Sequence, residues 1–218
     1  KNPLSGIRGA AQLLETAVTD EDRALTRLIC DETDRIVSLV DRMEVFSDER
    51  PVDRQSINIH SVLDQVKAVA KAGFARNIRI TENYDPSLPP VMGDRDRLIQ
   101  VFKNLFSNAV KFSPRHGRID IAVLCDEEWV QIRVSDHGSG IPAEFMSRLF
   151  QPFAQADGSD QRAGGGSGLG LAISRGLIER MGGHIHAESV PGHGATFIVE
   201  LPYVSAATGT GEESDHAA

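Results

Sequence analysis

No G-x-x-x-x-G-K-[ST] run occurs anywhere in the chain, which excludes the phosphate cradle of a P-loop enzyme. Cysteine is scarce: Cys30 and Cys125 stand far apart and form no C-x-x-C pair. Neither a disulfide framework nor a thiolate metal site can be built from them, and two buried free thiols in a reducing cytosol are expected. No apolar stretch approaches the ~18 residues of a membrane-spanning helix. Positive charge is also short, with 23 Lys and Arg against 31 Asp and Glu and a net charge of −8. That balance argues against direct nucleic-acid binding. Among the seven histidines, none opens a His-Glu-x-x-Asn run. No internal repeat is visible.

What is present is glycine, amide side chains and periodic apolar residues. A length of 218 residues with 40% apolar content accommodates one α/β domain and a small helical one. Leu98, Val101, Phe102, Leu105, Phe106 and Ala109 recur at the spacing of a buried helix face, with Asp94 as the expected N-cap. Asn104 and Asn108 stand one turn apart on this helix and share a face, next to Lys111. By themselves they also read as two solvated amides. Their oxygens are, however, hard neutral ligands suited to Mg²⁺, which takes its remaining ligands from water and phosphates. Lys111 adds a point charge for those phosphates.

Asp136 ends the strand-like run Trp129-Val130-Gln131-Ile132-Arg133-Val134 and opens Asp136-His137-Gly138-Ser139-Gly140-Ile141. An ionised carboxylate only accepts hydrogen bonds, so it suits the exocyclic amine of adenine better than the carbonyl edge of guanine. Gly138 and Gly140 let the backbone turn tightly against a ring. Gly138 to Ala143 also matches G-x-G-x-x-A, but an irregular polar loop is expected next, and no second strand with a ribose-binding acid follows about 20 residues on. The third motif runs from Gly164 through Gly165, Gly166, Gly168, Leu169 and Gly170 into the helical pattern Leu171 to Met181. Glycines leading into a helix start offer free N–H groups and the positive dipole end to an anion. The small-residue loop ahead of them, with Arg162, reads as a lid over a triphosphate, its base pinned by Phe150 and Phe153. Lys111, Arg115 and Arg162 are the local positive groups available for phosphates. Gly192-His193-Gly194-Ala195-Thr196-Phe197 closes the set before a last alternating strand.

These stretches, in this order, resemble the boxes of the histidine-kinase ATP-binding domain, within the wider group that includes gyrase, MutL and Hsp-type chaperones. The resemblance covers roughly residues 56–202. It implies ATP and Mg²⁺ as cofactors, with Mg²⁺ and phosphate contacts for Asn104 and Asn108 and adenine recognition for Asp136. It further implies ring packing for Phe112, phosphate and lid contacts around Gly166, Gly168 and Gly170, and a polar contact on the base side for Thr196.

The first fifty residues separate the members of that group. Leu4, Ile7, Ala11, Leu14 and Val18, then Leu25, Leu28, Ile29, Ile36, Leu39, Val40, Met43 and Phe46, step by three and four around a Thr19-Asp20-Glu21-Asp22 turn. Such a hairpin cannot bury its stripe alone. Pairing into a homodimeric four-helix bundle solves this, and packing onto its own ATP domain is the other solution. Lys1-Asn2-Pro3-Leu4 resembles the tail of the phosphoacceptor box His-Glu-x-Lys-Asn-Pro-Leu. By that pattern the acceptor histidine lies three residues before Lys1, and this chain is a fragment with a sensor upstream. Asn2 matches the box position that in relatives positions water for dephosphorylating a response regulator.

Within the kinases, Ser5 to Glu15, Asp31 to Ile36 and Tyr84 to Pro89 are similar to the nitrogen-regulation branch, which implies an NtrC-like regulator and a PII-type controller. Ala109 to Pro114 and Phe150 to Asp157 are similar to membrane-sensor and hybrid kinases. The expected architecture is α+β: a helical hairpin over 1–50, an α/β sandwich ATP-binding domain over 51–203, and a disordered tail over 204–218. Within the sandwich, Ile57 and Ile59 alternate as a strand, Val62 to Ala70 mark a helix, and Ile78 and Ile80 a short strand. Ile119 to Val123 pair with Val130 to Val134 across Asp126-Glu127-Glu128. The expected activity is cytoplasmic ATP-dependent autophosphorylation on histidine, with phosphotransfer to a receiver domain and phosphatase activity toward it. An ATP-binding signalling scaffold without kinase activity is the alternative.

Overall fold

Alternation along Trp129–Asp136, read in the sequence as a half-buried strand, is its observed burial: every second residue from Val130 to Asp136 is buried. The computed structural model describes residues 51–155 apart from 86, residues 168–203, and the helical residues Ile7, Thr26, Leu28, Ile29, Cys30, Thr33 and Ile36. The chain divides into two units, Lys1–Arg50 and Pro51–Ala218.

In the first unit Thr26 and Thr33 are buried, and Thr33 Oγ1 donates back to the Ile29 carbonyl at 2.6 Å. Ile7, Leu28, Ile29 and Ile36, four members of the expected apolar stripe, stand between 44% and 56% exposed. Asn2, the expected turn at 19–22 and the tail over 204–218 lie outside the described residues.

The second unit runs β1 (Gln55–Ile57), α1 (Ile59–Ala72), β2 (Arg79–Tyr84), β3 (Val91–Gly93), α2 (Arg95–Phe112), β4 (Arg118–Cys125), β5 (Trp129–Asp136), α3 (Ala143–Met146), α4 (Gly170–Arg180), β6 (His184–Ser189) and β7 (Ala195–Pro202). The main sheet has the order β2-β4-β5-β7-β6, with β2 and β4 parallel and the remaining pairs antiparallel. β1 and β3 form a separate antiparallel pair. α2 packs between α1 and α4 and against β5, so the α/β sandwich expected from the sequence is the observed one. Its core holds Leu98, Phe102, Leu105 and Phe106 of α2 with Ile119, Ile121, Ile132, Ile178 and Ile198, all fully buried. Lys67 of α1 ties that helix to β2, lying 2.8 Å from Asp64 and 2.5 Å from Glu82.

Four expectations need correction. The two cysteines are free thiols but not buried, Cys30 being partly exposed and Cys125 exposed. Ile59 does not continue a strand, because the Asn58 side chain accepts from His60 N at 2.9 Å and caps α1 there. β3 follows directly on a proline-rich stretch and is not among the expected strands. Its pairing with β1 and the bridge from Val91 to Tyr203 are tertiary. The segment after Gly140 is not wholly irregular, since Pro142 leads into the short helix α3.

Candidate nucleotide site

Helix α2 carries the amide pair. Asp94 caps it as expected, its side chain accepting from Asp96 N at 3.1 Å and Arg97 N at 3.2 Å. Asn104 Nδ2 lies 3.3 Å from the Gly170 carbonyl and 3.4 Å from Ser174 Oγ, and Ser174 itself donates to Gly170 O at 2.9 Å. This ties the first turn of α4 to α2, and Asn104 Oδ1 takes no hydrogen bond among the described residues. A Cβ at Gly170 would lie 3.7 Å from the Asn104 amide carbon, ordinary contact, so the glycine is not demanded by space there. Asn108 is half-buried and makes no side-chain hydrogen bond among the described residues. At the helix end Lys111 Nζ sits 5.3 Å from the centroid of the Phe112 ring, which is 48% exposed. Arg115 is exposed beyond it.

Asp136, at the end of β5, is 5% exposed. Its Oδ1 accepts from Gly138 N at 2.9 Å and Ala195 N at 3.4 Å, while Oδ2 takes no hydrogen bond among the described residues. Burial pushes its carboxyl above the ordinary carboxylate range, against the pull of those two N–H groups and the charge of His137. Backbone crowding fixes the turn: a Cβ on Gly138 would overlap the Phe112 carbonyl, and one on Gly194 would overlap the Asp136 carbonyl. Thr196 Oγ1 lies 2.8 Å from Ser135 Oγ, beside Asp136.

Two further contacts close the loops. Ser189 Oγ donates to Gly194 O at 2.7 Å and accepts from Ile141 N at 2.8 Å, while Gly140 turns at φ +71 against the Val190 carbonyl. Across the glycine-rich loop, Phe153 N donates to Gly168 O at 3.0 Å, and Gly168 adopts φ +69, where a Cβ would overlap the Phe153 backbone. Phe153 meets Gly168 through its backbone, and its ring is 62% exposed. Leu169 is buried and Gly170 begins α4. Arg162, Gly164, Gly165 and Gly166 lie outside the described residues.

The structure thus brings Asn104 to Gly170, Phe112 to Gly138, and Asp136 to Gly194 and Ala195. Sequence reasoning missed Ser174 and Ser189, because single serines on regular elements carry no spacing signal. It also missed the cluster of Arg118, Asp120 and His137 beside the turn. ATP and Mg²⁺, the groups the resemblance implies, fit the donor set. A fixed carboxylate with one free oxygen suits an exocyclic amine. Amide oxygens without hydrogen bonds among the described residues suit a hard cation that keeps waters and phosphates as its other ligands.

This architecture and this turn define an ATP-binding domain without a P-loop. Residues 93–205 match the model of the histidine kinase-, DNA gyrase B- and HSP90-like ATPases, and the chain belongs to that family. Residues 1–51 match the His Kinase A (phospho-acceptor) domain, so the chain carries both matches, the phospho-acceptor one first. The chain is 53% identical to the sensory histidine kinase/phosphatase NtrB of Rhizobium meliloti over 93% of its own length and 55% of that protein. It is 47% identical to NtrB of Azospirillum brasilense, over 97% of this chain and 55% of that one. It spans about half the length of these curated relatives. Among solved structures, full-length ShkA in complex with AMPPNP superposes with a TM-score of 0.76 at 30% identity, covering 94% of this chain and 44% of that one. ThkA in complex with the response regulator TrrA gives 0.71 at 26% identity, over 93% and 58%.

Proposed function

We propose that this chain is the kinase core of a two-component sensor histidine kinase/phosphatase of the NtrB kind. It uses ATP and Mg²⁺ to phosphorylate a histidine and hands the phosphoryl group to the aspartate of a receiver domain. The observation that carries the reading is Asp136: buried, held through Oδ1 by two backbone N–H groups, and left with Oδ2 to accept. That arrangement accepts an adenine amine and offers nothing to a guanine carbonyl.

Bound Mg-ATP supplies the γ-phosphoryl group and the charge neutralisation for its transfer. The chain's own residues bind and orient it. Asn104 Oδ1 and Asn108 hold the metal and phosphates, Lys111 and Arg162 add positive charge, and the N–H groups around Gly166, Gly168 and Gly170 face the phosphates at the start of α4. Phe112 packs the ring, Gly138, Gly140 and Ile141 form the wall beneath it, and Thr196 supplies polarity on the base side. Leu169, buried immediately before α4, fixes the start of that helix.

The half-exposed Ile7, Leu28, Ile29 and Ile36 support homodimerisation, because a single hairpin leaves them in water. Likeness to NtrB supports an NtrC-like regulator, a PII-type controller, a phosphatase role for Asn2 and a cytoplasmic location. No helix among the described residues is long and apolar enough to cross a membrane.

The test uses the chain extended upstream through the expected His-Glu. With γ-labelled ATP and Mg²⁺ it should acquire acid-labile label that passes to a receiver domain. ATP binding without any label would support the scaffold without kinase activity instead.

A further inference from the structure

Beside the base-reading turn lies a polar cluster that none of the roles above uses. His137, between Asp136 and Gly138, places Nε2 at 2.6 Å from Asp120 Oδ2. Arg118 Nε lies 3.0 Å from Asp120 Oδ1 and 3.1 Å from Oδ2. The same guanidinium approaches His137 Nε2 at 3.4 Å from Nε and 3.2 Å from Nη2. Thr81 of β2 also donates to Asp120 Oδ1.

These distances resolve the roles. At 2.6 Å from a carboxylate oxygen, Nε2 has to carry a hydrogen, since two facing lone pairs would repel. A nitrogen that donates cannot accept from Arg118 in the same plane. The guanidinium therefore serves Asp120, and Asp120 becomes the hub, accepting from Thr81, Arg118 and His137. Burial opposes its charge, yet those three donors hold its carboxyl below the ordinary range. β4 and β5 pair in register, Asp120 opposite Ser135 and Ile119 opposite Asp136, so the hub stands level with the end of β5.

We propose that His137, anchored on Asp120 and flanked by Arg118, is a positioning residue that holds Asp136 in its base-reading geometry. The proposal rests on Asp136 being that reader. Gly138 is blocked on one side by the Phe112 carbonyl, and Asp136 is blocked by Gly194. His137 supplies the remaining restraint, a hydrogen bond that ties the turn to β4 and, through Thr81, to β2. Where its ring is protonated it is also a positive neighbour of the Asp136 carboxyl, and the charged groups facing it in turn are Asp120 and Arg118. Ionised Asp136 is the form that accepts an amine, so His137 acts on the turn both as a tether and as a charge.

The experiment is Mg-ATP and Mg-GTP titration of the chain across mildly acidic to neutral pH, for the parent, His137→Leu, His137→Gln and the double variant His137→Leu/Asp120→Ala. His137→Leu should bind ATP roughly three- to tenfold more weakly, the loss of one hydrogen bond. Its affinity should also begin to fall at a higher pH than the parent's, because Asp136 loses a positive neighbour. His137→Gln keeps an N–H within reach of Asp120 and should recover most of the neutral-pH affinity while retaining the shifted pH profile. The double variant should bind no more weakly than His137→Leu, as expected for one coupled unit. Parent-like affinity and pH profile in both His137 variants would overturn the proposal. If His137→Leu fails to fold, parent-like behaviour of His137→Gln at every pH overturns it in the same way. Failure of the parent to prefer ATP over GTP removes the base-reader reading itself, a result distinct from an unaltered His137 variant.

Discussion

Asp136 shows how burial and function oppose each other in one side chain. Its carboxyl is pushed above the ordinary range by desolvation, so folding penalises its ionised form. The sign follows directly: the cost is present at neutral pH and is relieved as pH falls through the raised folded value. Asp136→Asn removes the charge while keeping an acceptor for Gly138 N and Ala195 N. It should leave the melting temperature of the nucleotide-free chain unchanged or higher, measured by calorimetry. The same variant should lose its preference for ATP over GTP, because the amide presents a donor where the adenine amine needs an acceptor. Asn108, with no partner among the described residues, gives the complementary case. Asn108→Ala should cost on the order of 1–3 kcal/mol of Mg-ATP binding and little stability, read by titration with and without Mg²⁺.

Elements are held where they are by backbone approach more than by side-chain chemistry. The end of α2 meets the turn after β5 so closely that Gly138 has no room for a Cβ beneath the Phe112 carbonyl. Gly138→Ala should force α2 and the turn apart and destabilise the domain by roughly 1–3 kcal/mol, the usual cost of overpacking. A lowered melting temperature together with weakened ATP binding is the expected pair of results. At the other end of α2, Asp94 satisfies two orphan N–H groups, and Asp94→Ala should cost about 1 kcal/mol in denaturant unfolding without changing base preference. The contrast between these two variants separates the helix's stability from its placement against the turn.

For the whole molecule, the two units differ in how their apolar residues are covered. The sandwich buries Phe102, Phe106 and their neighbours completely, whereas Ile7, Leu28, Ile29 and Ile36 remain about half in water. A core that closes on itself needs no partner; a half-wet stripe does. Replacing Leu28 and Ile36 together with Glu should convert a dimer to a monomer in sedimentation while leaving ATP affinity unchanged. An unaltered dimer would place the association surface elsewhere.

Much of this was legible from residue order. The 3.6-residue period of α2, the Asp94 cap, the alternation of β4, β5 and β7, and the Asp126 turn, whose carboxylate accepts from Glu128 N and Trp129 N, all follow from local rules. The family was also legible, because the spacing within each of its motifs is itself local. Tertiary structure alone decided the rest, for one physical reason: each feature depends on a partner far away in the chain. β3 is a strand because β1 is beside it, although a proline-rich stretch precedes it. Asp136 Oδ1 accepts from the distant Ala195 N in addition to its own neighbour Gly138 N, and Oδ2 is left without a hydrogen bond among the described residues. Ser189 matters because Gly194 and Ile141 converge on its hydroxyl. His137 became more than an exposed residue in a turn only when β4 brought Asp120 within 2.6 Å of it. Periodicity and capping act over a few residues and can be read along the chain; pairing across a sheet and the loss of water around a carboxylate exist only once the chain has folded.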